Sequence, residues 1–256
     1  MDPLAPDLVL HSGRISTMDG DGPEGGRVVE ALAAKDGRIV AVGSDDEVLA
    51  LAGPGTERVD LAGARAIPGI VESHAHPDSY AARIRTWEDV SPARIASRDA
   101  LLARIEAVAA TKGPDDWIVC YRFDDRKSGG YPTLAEVDAA AKGRPLYIQR
   151  TDGHVGLANS RAFEAVGLGM DPADPPFGAF DRDGEGRITG RCRETAAHVF
   201  LSHVHAGDTE AMLADGLVAV FDEWRDLGIT TVYNSLCGSR SIAAYQRLKA
   251  EGRLAM

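Results

Sequence analysis

The chain has 256 residues, 44% of them apolar, with 39 acids against 28 bases and a net charge of −11. That is enough material for one large domain or two smaller ones, and no stretch nears the roughly eighteen apolar residues of a membrane span. An acidic balance with no basic cluster argues against a nucleic-acid or anionic-membrane surface.

Met1 to Leu10 carries two acids and no basic run, so a secretory signal is not expected there. Cys120, Cys192 and Cys237 are odd in number and lack C-x-x-C spacing, which reads as reduced, buried thiols in a cytoplasmic protein.

Residues 7–65 read as short strands between turns: Asp7–His11, Val28–Ala34, Arg38–Val42 and Arg58–Leu61, with a Gly/Asp-rich loop at 19–26. Lys35-Asp36-Gly37 is a tight-hairpin signal, and Ser44-Asp-Asp-Glu47 caps a short helix to Ala52. This region, 1–65, is a small β unit without a catalytic constellation.

From residue 66 the rhythm changes to strand, then helix. Ala66-Ile-Pro-Gly-Ile-Val-Glu72-Ser-His74-Ala-His76-Pro77 is a turn, a buried strand over 70–76 and two histidines at its end. Alternate strand residues share a face, so Glu72, His74 and His76 project together, and two such imidazoles can hold one metal ion. A helix is expected from about Ser97 to Thr111, then a strand at Trp117–Tyr121 and a helix from Thr133 to Ala141. A strand at Pro145–Gln149 and a helix capped by Asn159 and ended by Gly167 follow.

The Pro/Gly/Asp-rich stretch 168–190 reads as an inserted hairpin. Helices at about Cys192–Ser202 and Thr209–Leu227, a strand at Gly228–Tyr233 and a helix at Ser241–Lys249 complete the chain. Strands separated by helices imply a parallel sheet with right-handed crossovers, in which the strands at 70–76 and 229–234 stand as edges. Active sites of such sheets lie at the carboxyl ends of the strands, where the H-x-H falls.

Three further positions carry candidate chemistry. Glu194, in Thr189-Gly-Arg-Cys-Arg-Glu194, is a metal ligand or a carboxylate stabilising a helix start. His154, in Thr151-Asp-Gly-His154 after a strand, is placed for substrate or metal, or is an exposed imidazole in a turn. Asp124 and Asp125 follow another strand end and are placed in the same way, or form a polar loop. The second H-x-H, His203-Val-His205, lies on a predicted helix, where such residues point about 200° apart, so it is set aside.

The segment Pro68–Pro77 resembles the first metal-binding strand of the metal-dependent amidohydrolase superfamily, with Glu72 where an aspartate is usual. Asp7–Ile15, Ala33–Gly43, Arg150–His154 with Asn159-Ser160, Thr189-Gly190 ahead of Glu194, and Gly228-Ile-Thr-Thr together resemble its amidohydrolase-3 (YtcJ-like) subgroup. The resemblance implies an α/β fold: the first half of a distorted TIM (β/α)8 barrel over 66–256, about four βα units, plus part of a small N-terminal β-sandwich. His74 and His76 would bind the first divalent metal, zinc or similar, one ion or two. Glu194 would bridge or share metals in place of the carboxylated lysine used elsewhere in the superfamily, and Glu194 and His154 are the expected catalytic residues.

The family also needs two later histidines and a catalytic aspartate from a second half. The closing stretch Arg253–Met256 resembles the opening of a fifth strand. The expectation is a hydrolase of an amide or other non-peptide C–N bond of a small molecule. It would be completed by a partner chain supplying the remaining strands or in a homo-oligomer, or the sequence is a piece of a longer enzyme. A non-catalytic remnant or scaffold of the same fold, and a ring deaminase, are the rivals.

Overall fold

The computed structural model describes residues 4–20 and 25–256, so residues 21–24 of the Gly/Asp-rich loop lie outside the described residues. These divide into two units. One runs up to Glu72 and includes Gly228–Thr231; the other holds Ser73–Leu227 and Val232–Met256.

The first unit contains β1 (Leu8–His11), β2 (Arg14–Ser16), β3 (Val28–Val29), β4 (Ala31–Lys35), β5 (Arg38–Gly43), α1 (Asp45–Leu49), β6 (Glu57–Asp60) and β7 (Arg65–Ala66). They form a four-stranded sheet ordered β5-β4-β1-β6 and a three-stranded one ordered β3-β2-β7. Asp36 and Gly37 both have positive φ, +50° and +72°, the backbone a two-residue hairpin needs to follow strand twist. Ser44 and Glu47 form the full capping box of α1. The single strand read over Val28–Ala34 is broken at Glu30, because its two parts belong to different sheets. Val9, Ala31, Ala33 and Val48 make a small core.

Next along the chain come β8 (Ile70–Ala75), α2 (Pro77–Ile84), β9 (Glu88–Asp89), α3 (Arg98–Ala109), β10 (Ile118–Phe123), α4 (Leu134–Ala141) and β11 (Leu146–Arg150). They are followed by β12 (Val155–Ala158), α5 (Ser160–Ala165), β13 (Gly178–Arg182), β14 (Ile188–Glu194), α6 (Thr195–Val204), α7 (Glu210–Asp226), β15 (Ile229–Asn234) and α8 (Ser239–Ala250). A six-stranded sheet is ordered β13-β14-β12-β11-β10-β9. Only β9, β10 and β11 run parallel; β12, β14 and β13 are antiparallel to their neighbours.

Strands buried on both faces hold this sheet. Ile118, Cys120, Leu146 and Ile148 pack with Leu101, Ile105 and Val137 on one side. Val119, Tyr121 and Tyr147 point to the other, against Phe163 and Phe200. Burial pushes the thiols of Cys120 and Cys192 up to about 12, so both are inert packing groups. A third cluster joins α2, α7 and α8 through Ala81, Leu217, Phe221, Ala244 and Leu248.

Four sequence expectations change. The four-stranded parallel sheet does not form, because the chain turns back after β11 as the antiparallel β12. β8 and β15 are not the two edges of one larger sheet; they pair with each other as a separate two-stranded sheet. The Ile70 N–H donates to the Gly228 carbonyl at 2.9 Å, and the Ser235 N–H to that of Ala75 at 3.0 Å. The helix read from Cys192 starts at Thr195, since Cys192 faces the core as a strand residue opposite Gly156. Arg253–Met256 forms no strand; Leu254 and Met256 pack on the α2–α7–α8 cluster instead. No helix among the described residues is long and apolar enough to cross a membrane.

Candidate active site

β8 ends at Ala75, one residue earlier than the sequence pattern implies. His76 has left the strand (φ −132°, ψ 65°) and is the residue before α2, with Pro77 in the first helical position. Proline suits that place because its φ is already helical and its missing N–H would have no partner there. His74 and His76 remain neighbours, their rings edge-to-face with centroids 5.5 Å apart, and both are exposed. Behind them Asp78 is buried and accepts a hydrogen bond from Asn234 Nδ2 at 3.0 Å; the same amide donates to Tyr245 at 3.1 Å. No spacing in the sequence couples these three residues; only the proximity of α2, β15 and α8 does.

His154 stands at the start of β12, after a turn that its neighbours hold rigid. Asp152 Oδ1 accepts from the backbone N–H groups of His154 at 3.0 Å and Val155 at 3.3 Å. Gly153 takes the positive φ (+78°). Arg150 ties the turn down by pairing with Asp125 at 2.6 Å and with Asp152. This explains the Thr-Asp-Gly-His sequence locally as an Asx turn, and gives Asp125 a structural part.

The β12–β14 ladder, with Val155 opposite Arg193, brings Glu194 to His154 across 40 residues of sequence. The Glu194 N–H donates to the His154 carbonyl at 2.9 Å, and His154 Nδ1 lies 3.0 Å from Glu194 Oε2. Glu194 precedes α6 but makes no side-chain cap to it. The helix-start reading of this carboxylate therefore lacks its hydrogen bond, and the partner is the imidazole. Its backbone is at φ 53°, ψ −123°, a conformation costly for any residue with a side chain.

A carboxylate only accepts, so Nδ1 carries the proton of this pair and Nε2 is left with the lone pair in neutral imidazole. The hydrogen bond that His154 donates to Glu194, then the carboxylate's charge, raise the His154 pKa above the ordinary 6.5. The side chains are 66% and 55% exposed, so solvent screens the pair and its contribution to stability is small.

The set-aside histidines are packing groups. His203 lies against Trp117, and His205 stacks on Trp87 while bonding Asp208 at 2.6 Å.

Imidazole nitrogens and a carboxylate are donors a divalent ion accepts, so the chemistry of His74, His76 and Glu194 fits one. Their convergence does not: among the described residues no three His, Cys, Asp or Glu side chains gather closely enough to hold an ion. The structure provides an imidazole pair at β8 and an imidazole–carboxylate pair at β12 and β14.

Residues 57–256 match the model of the amidohydrolase family, and the chain belongs to that family, in its amidohydrolase-3 subgroup. It is 27% identical over 253 residues to the N-substituted formamide deformylase of Arthrobacter pascens, covering 97% of this chain and 46% of that protein. It is 28% identical over 254 residues to the exoenzymes regulatory protein AepA of Pectobacterium carotovorum, covering 96% and 53%. The crystal structure of an uncharacterized metal-dependent hydrolase from Pyrococcus furiosus shares the fold at TM-score 0.64 and 24% identity, over 97% of this chain and 48% of that one. The chain thus spans about half the length of these relatives.

Proposed function

We propose that the chain is the first half of a metal-dependent hydrolase that cleaves an amide or other non-peptide C–N bond of a small molecule. In this reading residues 66–256 supply about four units of a distorted TIM barrel, and residues 1–65 supply part of a β-sandwich. The observation that carries it is the His154–Glu194 pair, held by a strained backbone at the mouth of the β12–β14 ladder. A purely structural carboxylate before α6 would cap the helix and relax its φ.

His74, His76 and Glu194 would hold a divalent ion once the second half of the fold is present. When bound, such an ion polarises the scissile carbonyl and lowers the pKa of a water. The chain's own residues do the rest. Glu194 would help to hold the ion, and its Oε2 fixes His154 by accepting from Nδ1 at 3.0 Å. His154, protonated on Nδ1, presents Nε2 as a proton acceptor beside the substrate. The second half would come from a further stretch of chain, a partner polypeptide or another copy. The exposed apolar side chains on the paired strands, Ile70 at 43%, Val71 at 63% and Tyr233 at 66%, support such a covering.

The test is amine release from small formamides and other amides, and ammonia release from ring amines, by the complete assembly. Metal content is measured alongside. Glu194→Gln should keep the fold and lose most turnover, and His74→Ala should lose most of the metal. Near wild-type turnover in Glu194→Gln, or unchanged metal in His74→Ala, overturns the assignment. Full metal without any C–N cleavage would favour a regulatory or scaffold role, the kind of role named for the Pectobacterium relative.

A further inference from the structure

A cleft at the carboxyl ends of β10 and β11 is lined by the guanidinium of Arg83. Arg83 lies on α2 seven residues after His76, which places it about two turns along the same side of the helix. Its Cζ sits 5.3 Å over the Trp87 ring, and its Nε is buried without a hydrogen-bond partner. Among the described residues Arg83 forms no ion pair. Burial pushes its pKa down, against the opposing pull of Tyr147, Asp78 and Tyr121.

The cleft in front of it has a volume of about 350 Å³. Its lining includes the aromatic residues Tyr80, Tyr121 and Trp224 and the polar residues Arg122, Gln149 and Arg150. The charges other than Arg83 have partners. Arg150 is held by Asp125 and Asp152, Arg122 reaches Asp89 at 3.4 Å, and Glu223 accepts from the Tyr80 hydroxyl at 3.3 Å. Arg122 also adopts φ +65° where the β10–β11 register shifts, a strained backbone that lines this cleft.

A partly desolvated cation without a counter-charge is costly in a folded protein. We propose that a ligand supplies the charge: the cleft binds the carboxylate of a small aromatic or cyclic acid, its carboxylate on Arg83 and its ring among Tyr80, Tyr121 and Trp224. A carboxylate matches the planar guanidinium fork, and its single charge balances one arginine. The Glu223 carboxylate in the wall disfavours a dianion such as phosphate. Loop 151–154, which carries His154, adjoins the cleft through Arg150 and Thr151, and His76 begins the helix that carries Arg83. The acid is therefore placed as the recognition group of the substrate, a statement that rests on the hydrolase reading; the binding itself does not.

The experiment is titration of the metal-free assembly, this chain together with the second half that completes it, with benzoate and with benzamide, by calorimetry and by the arginine Nε–H resonances with this chain ¹⁵N-labelled. Benzoate should shift the Arg83 Nε–H and bind at least about tenfold tighter than the neutral amide, as expected for a charge-assisted bond. Arg83→Gln should erase that preference, Arg83→Lys should keep part of it, and Arg126→Gln on the exposed loop should leave it intact. Equal binding of the two probes, no benzoate binding at millimolar concentration, or an unchanged preference in Arg83→Gln overturns the proposal. The two probes on the wild-type assembly decide it even where a variant folds poorly. Benzoate preference without amide cleavage would sink the hydrolase reading alone; amide cleavage without benzoate preference would sink only this one.

Discussion

His154 and Glu194, 40 residues apart in sequence, are joined twice: by the backbone bond from the Glu194 N–H to the His154 carbonyl, and by the side-chain bond at 3.0 Å. Because the ladder fixes the backbone, the side chains meet without a long search. The imidazole therefore titrates against a carboxylate already in place.

The first prediction follows from that pairing. The raised pKa of His154 means that the pair stabilises the fold fully below the ordinary imidazole value of 6.5. The stabilisation is then lost as pH rises through the higher folded value. In metal-free protein the ring resonances of His154 should titrate above 6.5, and in Glu194→Gln the midpoint should fall. Coinciding midpoints in the two proteins would remove the pair from solution. The accompanying change in stability should stay small, since both groups are more than half exposed.

The second prediction separates the Glu194 side chain from its backbone. Glu194→Ala and Glu194→Gly both delete the carboxylate, but only glycine is at ease at φ 53°, ψ −123°. Strain of this kind costs on the order of 1–3 kcal/mol, while the greater freedom of glycine in the unfolded chain takes back about 0.4–1 kcal/mol. Strain is the larger of the two, so the glycine variant should be the more stable by roughly 1 kcal/mol in urea unfolding. An alanine variant equal to or more stable than glycine would show that the site stores no strain.

Much of this was legible in the sequence, for reasons that differ by element. The Asp36-Gly37 hairpin, the capping boxes at Ser44 and Thr133, and the two-faced strands β10 and β11 are local signals, carried by residues a few positions apart. The His154–Glu194 pair was legible only as two separate candidates. β12 (Val155–Ala158) is four residues long and follows a turn that reads as a loop, so the ladder joining them gave no pattern to see. Arg83 was missed for another reason. No helix is read between the H-x-H strand and Ser97, so Arg83 has no face to bury in that reading; the structure forms α2 there, brings Trp87 beneath the guanidinium and buries its Nε.

The third prediction concerns how α2, and with it His76, is seated. A Cβ at Gly216 on α7 would lie 2.5 Å from the Ala81 carbonyl oxygen of α2, a backbone atom that cannot turn aside. Glycine is thus what lets the two helices approach. Gly216→Ala gains up to about 1 kcal/mol of helix propensity but incurs roughly 1–3 kcal/mol of overpacking. With backbone on the far side of the contact, overpacking should win. The variant should unfold at lower urea, and the His76 resonances should shift with the displaced helix. A variant more stable than wild type would mean that the helices separate without cost.

The last prediction concerns what covers β8 and β15. Two paired strands are marginally stable by themselves, and among the described residues each has a neighbour on one side only. Each therefore has one edge with no strand beside it, while Val71, Tyr233 and Leu236 are 63%, 66% and 75% exposed. Open edges beside exposed apolar side chains invite further strands. The relatives, about twice as long as this chain, have the residues to provide them. Purified alone, the chain should therefore self-associate, and light scattering should give a mass above that of one chain. Co-expression with a polypeptide corresponding to the relatives' second half should replace the aggregate with one complex of fixed stoichiometry. In it the amides of β8 and β15 should become protected from hydrogen exchange. A lone chain that runs as a monomer with those amides already protected would show that the paired strands are complete as they stand.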